Sequence, residues 1–116
     1  MNLTKKTILV LGATGQQGGA AARHLLADGW QVRALTRNAS SRAARALAEA
    51  GAEVVAGDMG DRASLDAAMR GVYGVFSVQP PDWNPSDASA AEELRLGRNV
   101  IEAAREAGVR HFVYSS

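Results

Sequence analysis

Thr7-Ile-Leu-Val-Leu11, continued by Gly12-Ala-Thr-Gly15-Gln-Gln-Gly18-Gly19 and then by Ala20-Ala-Ala-Arg-His-Leu-Leu26, is the stretch on which the reading of this chain turns. A continuous apolar run is what a central parallel strand looks like when both of its faces are covered. The alanine- and leucine-rich segment behind the glycines is a strong helix former. Each glycine between them has a physical task. Gly12 permits the tight turn out of the strand, Gly15 lets backbone N–H groups approach a pyrophosphate with no Cβ in the way, and Gly18 brings helix and sheet together. The start of the helix then offers unpaired N–H donors and a partial positive charge to phosphate. A GxxGxxG alone also fits a plain strand-to-helix turn, and a repeating βαβ context is what separates the two. On that context Gly12, Thr14, Gly15, Gln16, Gln17 and Gly18 are assigned to binding of the nucleotide cofactor.

The context is present. An Ala/Leu-rich stretch ending in glycine, followed by a β-branched run, occurs as Leu25-Leu-Ala-Asp-Gly29 before Trp30 to Thr36 and as Leu47-Ala-Glu-Ala-Gly51 before Glu53 to Ala56. It returns as Ala67-Ala-Met-Arg-Gly71 before Val75 to Val78 and as Ala103-Ala-Arg-Glu-Ala-Gly108 before His111 to Ser115. Each glycine stands where a helix ends in a left-handed residue. The alternation predicts a doubly wound α/β domain of three layers, a Rossmann-type parallel sheet of strand order 3-2-1-4-5 with right-handed crossovers and helices on both faces. Asp61 suits the N-cap of the helix beginning near Arg62, and Ser40 or Ser41 that of the helix before it. The fourth helix, about 87–107, carries Leu94, Gly97, Ile101 and Ala104 at a spacing that predicts an apolar stripe facing the sheet, with Gly97 permitting close approach to a strand. Gln79-Pro-Pro-Asp-Trp-Asn-Pro-Ser86 is a proline-rich loop after the fourth strand.

Composition narrows the functional classes. The 116 residues carry 13 Lys plus Arg against 12 Asp plus Glu and contain no cysteine. A disulfide framework, a zinc ribbon and a thiolate nucleophile are therefore excluded. Near-balanced charge argues against a nucleic-acid or membrane-surface binder. The run after Lys5 and Lys6 stops at Gly12, far short of the roughly 20 apolar residues of a membrane span, and no cleavage site follows it. The expectation is one domain over residues 1–116, cytoplasmic, with neither nucleic acid nor membrane as partner.

The Gly12, Gly15, Gly18 spacing matches the extended and atypical short-chain dehydrogenase/reductases. Ala13-Thr-Gly-Gln-Gln-Gly-Gly19, Val32-Arg-Ala-Leu-Thr-Arg-Asn38, Gly57-Asp58 and Asn99-Val-Ile-Glu-Ala-Ala-Arg-Glu-Ala-Gly-Val-Arg-His-Phe-Val-Tyr-Ser-Ser116 resemble the NmrA-like branch of that superfamily. The resemblance covers essentially the whole chain and is specific for the cofactor fold, much less so for activity. It implies a dinucleotide ligand and either an NAD(P)H-dependent reductase or an NADP-sensing regulator.

In NAD-binding proteins of this architecture the second strand ends in a carboxylate that holds the ribose 2′-OH. Here Thr36-Arg37-Asn38 stands at that place, followed by Ser41, Arg42 and Arg45. A guanidinium there can stack on adenine and pair with a 2′-phosphate, so NADP(H) is expected in preference to NAD(H), through Arg37 and Ser41. Arg45 reads as a solvated helix face. The resemblance places Asp58 of Gly57-Asp58-Met59 by the adenine amino group, with Met59 packed on the ring; Asp58 fits a loop or capping role equally well. It also places Val78, Gln79 and Pro80 beneath the nicotinamide. Trp83 reads as a surface aromatic.

Reductases of the superfamily use a tyrosine with a lysine four residues on, the lysine lowering the tyrosine's pKa for proton transfer. Ser77 stands four residues after Tyr73, Tyr114 has no such partner, and Lys5 and Lys6 are the only lysines. No catalytic residue is therefore assigned. Ser115 and Ser116 read as strand-end residues. His24 and His111 lack partners at ligand spacing and read as structural. The resemblance implies further strands and helices after the fifth strand, including a substrate lobe, so the chain is expected to be either the N-terminal part of a longer protein or a minimal domain whose fifth strand is an open edge. An open fifth strand carrying Phe112 and Tyr114 invites pairing, and self-association or low stability is expected. Three readings stand open: the cofactor domain of an oxidoreductase, a non-catalytic NADP-sensing regulator, and a folded fragment with little cofactor affinity.

Overall fold

The computed structural model describes residues 6–12, 16–78 and 89–115. Strands β1 (Thr7–Leu11), β2 (Gln31–Thr36), β3 (Glu53–Ala56), β4 (Gly74–Val78) and β5 (His111–Ser115) alternate with helices α1 (Gln16–Ala27), α2 (Arg42–Glu49), α3 (Arg62–Ala68) and α4 (Ser89–Glu106). All four glycines read as helix stops take positive φ, from 74° at Gly108 to 114° at Gly51. The N-caps are Ser41, whose side chain accepts from Ala44 N, and Asp61, which accepts from Ala63 N. Each satisfies one amide that the first turn leaves unpaired.

The strands form one parallel sheet in the order β3-β2-β1-β4-β5. This is the expected doubly wound arrangement. Alternate residues of β1 feed different layers, because successive side chains of a strand point to opposite faces. Leu9 and Leu11 join Leu65, Met69, Val75, Val100 and Ala103 on the α3/α4 side. Val10 joins Ala22, Val32, Ala34 and Leu47 on the α1/α2 side. With both faces covered, Leu9 and Val10 are fully buried.

The predicted stripe of α4 needs correction. Ala104 is buried, but Ile101 is 49% exposed, and the residues facing the core are Val100, Ala103 and Ala104. Counting from Gly97 drew the stripe about one position off the buried face, an error of some 100° around a helix. Among the described residues Gly97 does not mediate close packing either: a Cβ built on it meets none of them within 4 Å. Leu94 contributes no described side chain.

Two arginines tie the α3 side together. Arg33 of β2 donates from Nη1 to the carbonyls of Ala68 at 2.7 Å and Arg70 at 2.9 Å, and from Nε to Glu53 at 3.0 Å. Its charge thus sits at the electronegative C-terminus of α3. Arg62 bridges α3 to α4 through Asp66 at 2.9 Å, Glu102 at 3.2 Å and Glu106 at 2.9 Å. The hydrogen bond to Asp66 is the largest influence on its guanidinium and, with the weaker bond to Glu106 and the charges of both carboxylates, raises its pKa above the ordinary value against the opposing effect of desolvation.

Candidate functional site

The carboxyl ends of β1, β2 and β3 open into a cleft of about 900 Å³. In an open α/β sheet this edge is where ligands bind, because the loops leaving the strands diverge there. Gly12, Arg37, Ser41, Gly57, Asp58 and Met59 all line it. Residues far apart in the chain are thus gathered because parallel strands deliver their ends to one side.

Gly12 leaves β1 at φ 77°, a left-handed conformation that a side chain would strain. Helix α1 then begins at Gln16, so Gln16, Gln17 and Gly18 form its first turn and Gly18 is buried. No acidic residue stands in the first turn of α1 or of α2. The positive ends of both helix dipoles are therefore uncompensated by a local carboxylate. Thr14, Gly15, Gln79, Pro80 and Trp83 lie outside the described residues, and Val78 ends β4.

The β2–α2 connection is tied by its own side chains. Thr36 Oγ1 accepts from Asn38 N at 3.2 Å, Asn38 Oδ1 accepts from Ser40 N at 3.0 Å, and Ser41 Oγ accepts from Ala44 N at 3.1 Å. Arg37 projects from this ordered turn, exposed, with no hydrogen bond or ion pair among the described residues. Arg42 and Arg45 also lie exposed on α2, along a neighbouring depression shared with Glu49.

The β3–α3 connection is tied more tightly. Asp58 Oδ1 accepts from Gly60 N at 2.8 Å, closing a turn around Met59. Ser64 Oγ accepts from Asp58 N at 3.0 Å and lies 2.9 Å from Asp58 O and 2.8 Å from Asp61 O, to one of which it donates. Asp58 is therefore a turn residue and at the same time an exposed wall of the cleft, and the cap of α3 is Asp61. Gly57 is closely surrounded: a Cβ there would lie 2.6 Å from Leu35 Cδ1 and 3.0 Å from Ser64 Oγ.

Arg95 and Leu96, on α4, also line the cleft. Sequence reading missed them. They carry no motif, and only the packing of α3 against α4 brings that segment over the β3 end. Tyr73 lies elsewhere, just before β4 at the amino end of the sheet. Its ring stacks on Trp30 with centroids 6.1 Å apart, approaches His111 at 4.9 Å and lies beneath Lys6 Nζ at 4.3 Å. The opposite end of the sheet from the cleft is no place for a group that touches a ligand there. Among the described residues no group of three or more His, Asp or Glu could hold a metal ion, and no helix is long and apolar enough to cross a membrane.

Sheet order, crossovers and the position of the cleft define a Rossmann-type domain. The NmrA-like family profile matches residues 4–116, and the chain belongs to that family. It is 44% identical over 117 residues to the NmrA-like family domain-containing oxidoreductase hkm9 of Aspergillus hancockii, covering 100% of this chain and 35% of that protein. The chain thus spans about a third of the length of the curated relatives it matches. Among solved structures, the Citrobacter sp. triphenylmethane reductase complexed with NADP(H) is 36% identical with a TM-score of 0.78, over 93% of this chain and 36% of that one. NmrA, a negative transcriptional regulator, is 28% identical with a TM-score of 0.81, over 97% of this chain and 34% of that one.

Proposed function

We propose that this chain is the NADP(H)-binding domain of an NAD(P)H-dependent oxidoreductase. The observation that carries the proposal is Arg37, exposed at the cleft one residue past the end of β2 and without a partner among the described residues. A carboxylate there would repel a 2′-phosphate, whereas a planar guanidinium with free donors attracts one. Ser41 and the uncompensated start of α2 flank it, and Gly12 with the start of α1 faces the pyrophosphate position. Thr14 and Gly15 complete that cradle in the proposal, as Val78, Gln79 and Pro80 complete the nicotinamide side. The residues present therefore fit a phosphorylated dinucleotide. When bound, the cofactor supplies hydride; the chain's own part is to hold the adenine and phosphate end and keep it oriented. Support comes from neighbours crystallised with NADP(H) and from relatives named oxidoreductases.

A second reading, a cofactor-sensing regulator without turnover, is favoured by the likeness to NmrA, a negative transcriptional regulator. Calorimetric titration with NADPH and NADH tests the binding that both readings share. Tighter binding of NADPH is expected, and NADH binding as tight or tighter would refute the cofactor assignment. Oxidation of NADPH by a quinone or dye, against cofactor-dependent partner binding with no turnover, separates enzyme from sensor.

The proposal includes self-association of this chain. Strand β5 pairs with β4 and with no other strand among the described residues, and Phe112 and Val113 are both exposed. An unpaired edge of this kind is complementary to a second copy of itself, since two such edges related by a two-fold axis can pair.

A further inference from the structure

A side-chain hydrogen bond links helix α4 to the β3–α3 loop. Asn99 Nδ2 donates to the carbonyl of Met59 at 3.0 Å, across 40 residues of chain. Leu96 and Arg95, three and four residues before Asn99 and so on the same helix face, line the cleft beside that loop. A Cβ on Gly60 would stand 3.2 Å from Arg95 Nη2, which measures how closely the helix approaches. Met59 is also half-buried against the α3/α4 core. The loop is thus fixed from both sides, by Ser64 from within and by Asn99 from without. A carbonyl that accepts from a side chain on another element is biased toward this one geometry, so less ordering is left for the ligand to impose.

We propose that Asn99 is a positioning residue for the adenine end of the cofactor cleft, holding the Asp58–Met59 segment in its binding geometry through the Met59 carbonyl. This rests on the dinucleotide reading above. The bond is local to the loop, so its loss acts on the adenine half of the ligand and on the exchange of amides that the loop protects. Gly60 N and Asp61 N are those amides, paired with Asp58 Oδ1 at 2.8 Å and Asp58 O at 2.9 Å.

The experiment compares wild type, Asn99→Ala and Asn99→Gln by calorimetry with NADPH and with adenosine 2′,5′-bisphosphate, and by amide hydrogen exchange over residues 57–61. Asn99→Ala is expected to weaken both ligands by the same factor, about three- to tenfold, and to speed exchange at Gly60 and Asp61. Asn99→Gln, which keeps an amide donor, is expected to restore both toward wild type. Unchanged exchange in Asn99→Ala overturns the proposal, as does a fall in Tm with both ligands bound as before. If wild type binds neither ligand, the dinucleotide reading fails by itself. Faster exchange in Asn99→Ala then still shows that this bond orders the loop, and unchanged exchange refutes that too.

Discussion

At the scale of single residues, side chains left free of local bonding are as informative as those that are bonded. Asn38, Ser41, Asp58, Asp61 and Ser64 are spent on turns and caps, whereas Arg37 stands at the cleft with its donors unused among the described residues. Arg37→Asp should therefore lower NADPH affinity at least tenfold while leaving NADH affinity equal or improved, since a carboxylate repels a 2′-phosphate and accepts from a 2′-OH. Parallel titrations with the two cofactors check this. Gly57 makes a different demand. Alanine there would crowd Leu35, itself 6% exposed, and the Ser64 hydroxyl already committed to the loop. Gly57→Ala should cost about 1–3 kcal/mol through displacement of packed neighbours, read as a lowered Tm in thermal unfolding.

At the scale of elements, α4 shows where periodicity succeeds and where it misleads. Its existence was plain from sequence, but its buried face is Val100, Ala103 and Ala104, with Ile101 turned toward solvent. Small residues are the cause, because alanine and glycine satisfy a helix pattern at several rotations. The same observation yields a prediction. Gly97 lies within α4 with no described residue within 4 Å of where its Cβ would be, so Gly97→Ala should stabilise the domain by about 0.5–1 kcal/mol through helix propensity and a less flexible unfolded chain. Tm should rise by a few degrees; an unchanged or lower value would mean that the glycine serves some contact after all.

At the scale of the whole sheet, its centre is buried, and among the described residues β5 pairs with β4 alone. Val75 of β4 is 2% exposed, while Phe112 and Val113 on the next strand are 37% and 51% exposed. Sedimentation velocity over a hundredfold concentration range should show reversible association of this chain, and a lysine in place of Val113 should weaken it, charge on an edge strand being an effective block to pairing. A monomer throughout that range would contradict the proposed association. The Arg62 network between α3 and α4 is exposed, so its contribution should fade as salt rises.

Much of this architecture was legible before any coordinates. Glycine helix stops, the Asp61 cap and a second cap at Ser40 or Ser41 follow from local chemistry, namely which residues tolerate positive φ and which accept from first-turn amides; strand order and the site at Gly12, Arg37, Gly57 and Asp58 were read from the βαβ alternation together with the family resemblance. Tertiary structure alone decided which rotation of α4 meets the sheet, that Arg95 and Leu96 enter the cleft, that Arg33 closes the end of α3, and that Asn99 holds the Met59 carbonyl. These are contacts between elements distant in the chain. Their partners are selected by the geometry of packed layers, which leaves no fixed spacing in the sequence to read.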